Sequence, residues 1–340
     1  MSLPTFLQGR LSLPLICAPM FLVSGPDLVI EACKAGVVGT FPALNRRTSE
    51  EFESWLIEIT TALEAYTAQT GKHAAPFGVN LIVHKSNPRL QADLDICKRH
   101  QVPLIITSLG AVPDVVEAVH SYGGLVFHDV ATIRHAEKAA QAGVDGLIAV
   151  CAGAGGHAGV LSPFAFVNEI RTFYQGSVIL SGCLSTGRDI ATAQTLGADL
   201  AYMGTRFINT KESLAVTEYK QMIVDSNAKD IVYTPEISGI PANFLKPSLQ
   251  SAGLNPETGK ALKTDDAVSE AGSKELNLGE ELTAPKEGAT AWKSIWSAGQ
   301  GVGSINNVPS VAELLVALHE EYIDATVDYA QRSREYALKI

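Results

Sequence analysis

GLVFHDVATIRHAEKAAQAGVDGLIAV, residues 124–150, holds one full period of the rhythm on which the fold turns. Two apolar runs, GLVFH (124–128) and GLIAV (146–150), bracket the amphipathic segment ATIRHAEKAAQAG, which ends in Ala142-Gly143. A glycine there suits the left-handed residue that closes a helix ahead of a strand. The two runs are continuous rather than alternating. That is the pattern of strands covered on both faces, as in a parallel sheet, and the segment between them reads as the crossover helix of a βα unit.

The same rhythm extends in both directions. Further runs are LPLICA (13–18), VVGTF (37–41), FGVNLI (77–82), PLIITS (103–108), VILSG (178–182) and LAYMG (200–204), with helix-like stretches such as PDLVIEACKAG, VPDVVEAVHSY and TGRDIATAQTLGA between them. Eight runs in about 205 residues fit an α/β protein of the TIM (β/α)8 barrel type better than an open sheet. An open doubly wound sheet is the alternative, because periodicity does not reveal closure.

After Phe207 the character changes. Residues 212–245 read as helical and mixed, and 246–290 are rich in Lys, Glu, Gly, Ser and Pro. Such a composition buries little core, so a smaller and more mobile region is expected there. Residues 291–305, AWKSIWSAGQGVGSI, place Trp292 and Trp296 ahead of Gly299, Gly301 and Gly303, and an amphipathic helix follows from Ser310. The expected organisation is a barrel over 1–211, completed by a C-terminal helix within 308–340. A lid or substrate domain is expected over 212–307.

The chain has 340 residues, 46% of them hydrophobic, and a formal charge of −10. A core of that size is easily built. The acidic balance, with no basic cluster beyond Arg46-Arg47 and Lys98-Arg99, argues against nucleic acid as a partner. Five cysteines (Cys17, Cys33, Cys97, Cys151, Cys183) form no C-x-x-C pair, which disfavours disulfides and a thiolate metal site. The apolar run from Leu11 to Val23 contains Pro14 and Pro19 and has no basic region ahead of a cleavage site, so it reads as a buried strand. No membrane span is apparent. A cytoplasmic protein is expected, and a homo-oligomer is compatible with the composition.

In such a barrel function gathers at the C-terminal ends of the strands. Those ends read APMF (18–21), NLIVH (80–84), TSLG (107–110), His128-Asp129, CAGAGGHAG (151–159), SGCLSTG (181–187) and MGTRF (203–207). The glycine-containing turns after the seventh and eighth runs are candidates for a phosphate, which backbone N–H groups and a helix start would face. Thr186 can cap the helix that follows the first of them. Lys85 is the only lysine at these ends, which disfavours Schiff-base chemistry. His128-Asp129 stands alone, with no metal-ligand spacing. With no electrophile and no metal of its own, the site calls for a phosphate-bearing cofactor. His84 and His128 sit where they could line a pocket, whereas His73, His100, His120, His135 and His319 lie on or beside helices and read as surface residues.

PLICAPM, PFGVNL, AGGHAG, SGCLSTGRD, GADLAYMGTRF and IWSAGQGVGSI occur in this order across almost the whole chain. On these motifs the sequence resembles the nitronate monooxygenases, formerly called 2-nitropropane dioxygenases, an FMN-dependent barrel family. The resemblance implies FMN across the strand ends. It implies phosphate binding by Ser181, Gly182 and Cys183 with Gly204 and Thr205, and ring contacts from Pro19, Met20, Phe21, Asn80, Gly155 and Gly156. It places the catalytic histidine at His157. On this reading Gly155 and Gly156 let backbone approach the flavin. Imidazole titrates near neutrality, so His157 takes the α-proton of a nitroalkane or, protonated, holds an anionic nitronate.

The implied reaction is oxidation of an alkyl nitronate by dioxygen to a carbonyl compound and nitrite. The chain differs from the family in two places. Val150 and Gly153 stand where some members carry glutamine and glutamate. A related branch of NADH:quinone reductases has a lysine after the histidine of the fifth strand, where this chain has Asp129. These differences bear on substrate and leave two rivals. One is an NAD(P)H-dependent FMN reductase of quinones or enoyl thioesters. The other is a flavin-binding barrel without turnover.

Overall fold

A computed structural model describes residues 3–110, 113–260 and 294–336. Each apolar run becomes a strand: β1 (Leu15–Cys17), β2 (Val38–Pro42), β3 (Phe77–Ile82), β4 (Leu104–Ser108), β5 (Leu125–Val130), β6 (Gly146–Val150), β8 (Ser177–Ser181) and β9 (Leu200–Met203). These eight form a closed barrel. Closure is visible at β1, which pairs in parallel with β2 through Ile16↔Val38 and with β9 through Ile16↔Tyr202. The open sheet is thereby excluded.

Both faces of the strands are buried, as their continuous apolar character demands. Ile16, Ile106, Phe127, Ile148, Ile179 and Tyr202 point into the barrel and fill its interior. Their neighbours Leu15, Cys17, Ile105, Val126 and Leu147 point outward against the helices. Leu7, with Phe6 and Leu11 beside it, joins the interior cluster from the N-terminal segment.

The helices between strands carry the start signals their sequences advertise. Thr48 accepts from the Glu51 amide at the head of helix Ser49–Thr70, and Thr132 does the same for His135 at the head of α5 (Ile133–Gln141). Thr186 caps helix Gly187–Leu196 in a reciprocal box with Asp189. Such a cap contributes about 1 kcal/mol. The C-terminal helix Val311–Glu335, capped by Ser310, packs along helix Gly187–Leu196. It also accepts the Gly187 amide on Glu321 Oε2 at 2.6 Å.

The region after the barrel is not purely helical. Helix Thr217–Asp225 is followed by two short strands, β10 (Ile231–Thr234) and β11 (Ala242–Leu245). These pair antiparallel, and β11 in turn pairs with β7, the two-residue strand Gly156–His157 from the loop after β6. IVYT and ANFL are too short to carry a clear alternation, so the sequence does not separate them from the helical and mixed stretch 212–245. Most of the segment expected to be mobile, from residue 261 onward, lies outside the described residues. Residues 246–260 are described and contain helix Lys246–Ser251.

Candidate active site

The C-terminal ends of the barrel strands open into a cavity of about 1140 Å³. Pro19, Met20 and Phe21 after β1, Asn80 on β3, and Gly155, Gly156 and His157 after β6 all line it. So do Ser181, Gly182 and Cys183 at β8 and Gly204 and Thr205 at β9. Every residue that the family resemblance assigns to the cofactor or to catalysis thus lines one cavity. Of the two histidines at strand ends, His128 lines the cavity and His84 does not; His84 Nδ1 instead lies 2.8 Å from Ser86 Oγ. His135 is exposed on α5 and reaches the cavity rim.

The loop carrying His157 is held from the far end of the chain. The Gly156 amide donates to Ser297 Oγ at 2.6 Å, and Ser297 Oγ donates to the Asn243 carbonyl at 2.5 Å. Asn243 Nδ2 donates to the Ala154 carbonyl at 2.7 Å, and the Gln300 amide donates to the Gly153 carbonyl at 2.8 Å. The glycines of the loop answer first to this packing. A Cβ on Gly155 would stand 2.9 Å from the Gly299 nitrogen and 3.1 Å from Thr205 Oγ1, and Gly156 adopts φ +74°. The sequence-based expectation that these glycines admit the flavin thus needs enlarging: Gly155 is required by the approach of the segment around Ala298-Gly299. Ser297 and Asn243 were not legible as site residues, because their partners lie 141 and 89 residues away in sequence.

At β8 and β9 the backbone offers donors. The ladder between them ends at Ser181↔Tyr202, so Gly182, Cys183 and Gly204 lie beyond it. Among the described turn and cap bonds their amides go to no protein acceptor, nor does that of Thr205. Gly182 at φ +128° and Cys183 at φ +59° turn the chain here, the latter in a conformation unfavourable for a side chain. Thr205 Oγ1 accepts from the Gly299 amide at 2.9 Å, which ties this end to the same distal segment. Unclaimed amides from two adjacent strand ends are a donor set for a phosphate.

Burial governs the ionisable groups. Protein crowding around His157 pulls its imidazole down to about 4, although one face is open to the cavity. The ring is neutral at pH 7. The buried His128, whose Nδ1 lies 2.7 Å from Thr107 Oγ1, is pulled to about 4 by the same cause. Burial pushes Asp129 up to about 6 against the Ser108 hydroxyl, which donates to its Oδ2 at 2.5 Å. Among the described residues no group of three His, Cys, Asp or Glu could hold a metal, and no helix is long and apolar enough to cross a membrane.

A family model for nitronate monooxygenase matches residues 47–321. The chain belongs to the nitronate monooxygenase family. A flavin cofactor comes with that membership. The cavity volume, the unclaimed amides and the small residues of the 151–159 loop fit such a group, with a phosphate at the ends of β8 and β9. A monooxygenase-type protein of Mycobacterium tuberculosis is 29% identical over 245 residues, covering 71% of this chain and 65% of that protein. A 5-hydroxy-7a-methyl-1-oxo-octahydro-1H-indene-4-carboxyl-CoA dehydrogenase of Rhodococcus jostii is 26% identical, covering 69% of this chain and 63% of that one. The match thus spans just under two thirds of the length of these two relatives. A nitronate monooxygenase of Paraburkholderia phytofirmans is 26% identical over 91% of this chain and 92% of its own. Nitroalkane oxidase from Streptomyces ansochromogenes shares the fold, with a TM-score of 0.75 at 21% identity over 96% of this chain and all of that one.

Proposed function

We propose that this family member binds FMN and oxidises alkyl nitronates with dioxygen to a carbonyl compound and nitrite, His157 acting on the substrate. The observation that carries this reading is a single cavity lined by His157 together with every other residue that the family resemblance marks. FMN would supply the electron transfer and oxygen chemistry for which no side chain here is suited.

The chain's own residues divide the remaining work. The amides of Gly182, Cys183, Gly204 and Thr205 hold the phosphate. Pro19, Met20, Phe21, Gly155 and Gly156 all line the cavity and offer a surface for a flat ring. His157 keeps its imidazole neutral, and a neutral imidazole can act as the base that takes the α-proton of a nitroalkane. A nitronate beside it raises its basicity, since a neighbouring anion favours the protonated ring. The pairing of β7 with β11 holds the backbone that carries the imidazole.

A second reading draws on the coenzyme A thioester dehydrogenase to which this chain is similar. A cavity of about 1140 Å³ is larger than a flavin ring and a small nitronate need, which favours a larger substrate such as an enoyl thioester reduced with NAD(P)H. Stopped-flow reduction of the flavin distinguishes the two. Fast bleaching by nitronate, with nitronate-dependent oxygen uptake, supports the first reading; fast bleaching by NADH without nitronate turnover supports the second. Bound FMN with neither activity would mean a flavin-binding barrel without turnover.

A further inference from the structure

The cavity does not stop at the strand ends. Side chains alternate along β5: Phe127 fills the barrel interior, whereas Val126 and Val130 pack outward against the helices. His128 therefore points outward, into the space between helix Pro113–His120 and α5, the two helices that pack on β5. The residue is 3% exposed and lines the cavity. Its Nδ1 lies 2.7 Å from Thr107 Oγ1. Its Nε2 has no partner among the described residues and, unlike the orphaned and sealed Asp129 Oδ1, is open to the cavity. With the Thr107 hydroxyl donating to Nδ1, the ring hydrogen sits on Nε2.

From His128 the space continues as a groove along one side of α5. His135, Lys138 and Ala142 follow one another along it at helical spacing, with Val130 beneath and Pro113 on the facing helix. At 1.5 Å per residue the stretch from His135 to Ala142 is about 10 Å long. Among the described residues Lys138 is the only lysine or arginine that lines the cavity, and no ion pair or hydrogen bond engages its ammonium. Asp129 is the only carboxylate in the lining, and it points to the barrel side of β5 with Phe127.

We propose that this groove holds the phosphorylated tail of an elongated co-substrate whose other end meets the flavin. This rests on the FMN reading above and deepens the reading with a larger substrate. The flavin's own phosphate belongs to the amides of β8 and β9, which lie two and three strands round the barrel from β5. Lys138 and His128 therefore answer to a different anion. The ammonium is a point-charge partner for a phosphate, the Nε2 hydrogen of His128 is a donor nearer the strand ends, and Val130 and Ala142 offer apolar cover to the stem between. A small nitronate is too short to fill a groove of this length. Two kinds of molecule that react with flavins carry such a tail: a reduced nicotinamide dinucleotide and a coenzyme A thioester.

Titration calorimetry of the FMN-loaded protein with coenzyme A and with NADP+ tests this in the wild type, Lys138→Gln and Lys98→Gln. Lys98 is an exposed lysine on helix Leu90–Arg99 away from the cavity lining, so its variant removes the same charge elsewhere. The expected result is that at least one of the two ligands binds the wild type and that Lys138→Gln weakens it about five- to tenfold, the ordinary worth of a hydrogen bond to a charged group. Lys98→Gln leaves that affinity unchanged, and FMN affinity is the same in all three proteins. Raising the salt from about 0.05 M to about 0.5 M narrows the gap between the wild type and Lys138→Gln, because an exposed charge is screened. Binding of coenzyme A identifies a thioester and binding of NADP+ a hydride donor; either supports the proposal. An FMN-loaded wild type that binds neither, or equal affinities in the wild type and Lys138→Gln, would overturn the proposal and leave the flavin reading intact. Equal losses in the two lysine variants would also overturn it. Failure of the wild type to bind FMN at all would overturn both.

Discussion

The hydroxyl of Ser297 accepts the Gly156 amide at 2.6 Å, joining the loop that presents His157 to a segment 141 residues later in the chain. The same hydroxyl donates to the Asn243 carbonyl, and the Ser297 carbonyl accepts the Tyr219 hydroxyl. One buried serine therefore ties β7, β11 and helix Thr217–Asp225 together. The backbone that carries the imidazole is thus held by residues outside the barrel.

Replacing Ser297 with Ala leaves the Gly156 amide and the Asn243 carbonyl without this partner. Buried groups so treated cost about 1–3 kcal/mol each. The expected outcome is a loss of stability of that order in urea unfolding. Turnover should fall more than FMN affinity, because the phosphate donors at β8 and β9 do not involve Ser297. An unaltered kcat would mean that the tether does not orient His157.

His157→Asn removes a base while keeping a polar side chain. Activity on neutral nitroalkanes should fall by about 10²–10⁴-fold, the usual loss for a general base. Activity on preformed nitronates should fall less, since no proton has to be removed. Steady-state oxygen uptake with both substrate forms, alongside the flavin spectrum, decides the matter. Equal small losses would leave His157 a structural role only.

Gly155→Ala pushes a methyl group to 2.9 Å from the Gly299 nitrogen. Backbone cannot yield as a side chain does, so the Ala298-Gly299 segment must move away from the loop and from Thr205. Overpacking of this kind costs about 1–3 kcal/mol. Weaker FMN binding and a lower melting temperature are expected together, measurable by flavin fluorescence and thermal unfolding.

The acid response has opposing parts. Burial depresses His128 to about 4, below an unfolded value near 6.5, so its contribution is present above pH 6.5 and is lost as pH falls towards 4. Burial raises Asp129 from 3.8 to about 6, so the folded state binds the proton more tightly and stability falls as pH rises through that interval. Asp129→Asn should therefore be more stable than the wild type above pH 6, by about 1–3 kcal/mol. The two should converge near pH 4. Urea midpoints across that range test the sign; a variant less stable than the wild type at pH 7 would contradict it.

Denatured protein should release FMN and not FAD. The amides at the ends of β8 and β9 form a donor set of one phosphate's size, and no G-x-G-x-x-G motif opens a βα unit. Chromatography of the released flavin decides this directly.

The strands were legible because a barrel strand is apolar on both faces. PLIITS and GLIAV had to be continuous runs once Ile105 and Leu147 faced helices while Ile106 and Ile148 faced the interior. The helix starts at Thr132, Thr186 and Ser310 were equally local, since a cap is read within four residues. The placement of site candidates at strand ends followed from the same rhythm. Asp129 was visible as a residue that breaks with a related branch, but its orphaned oxygen was not, because that depends on what Asn80 and Ser108 do two strands away.

By itself, then, the sequence determined the βα rhythm and put His157 and the two glycine-bearing turns at the ends of strands, since each rests on neighbours within a few residues. Tertiary structure alone decided that the sheet closes through β1 and β9, and that β7 joins β11 in a second sheet. It also decided that Ser297 grips Gly156 and that burial holds His157 and Asp129 away from their ordinary ionisation. The reason is range. Hydrophobic periodicity and capping act between adjacent residues, whereas closure, tethering and desolvation depend on groups that only folding brings together.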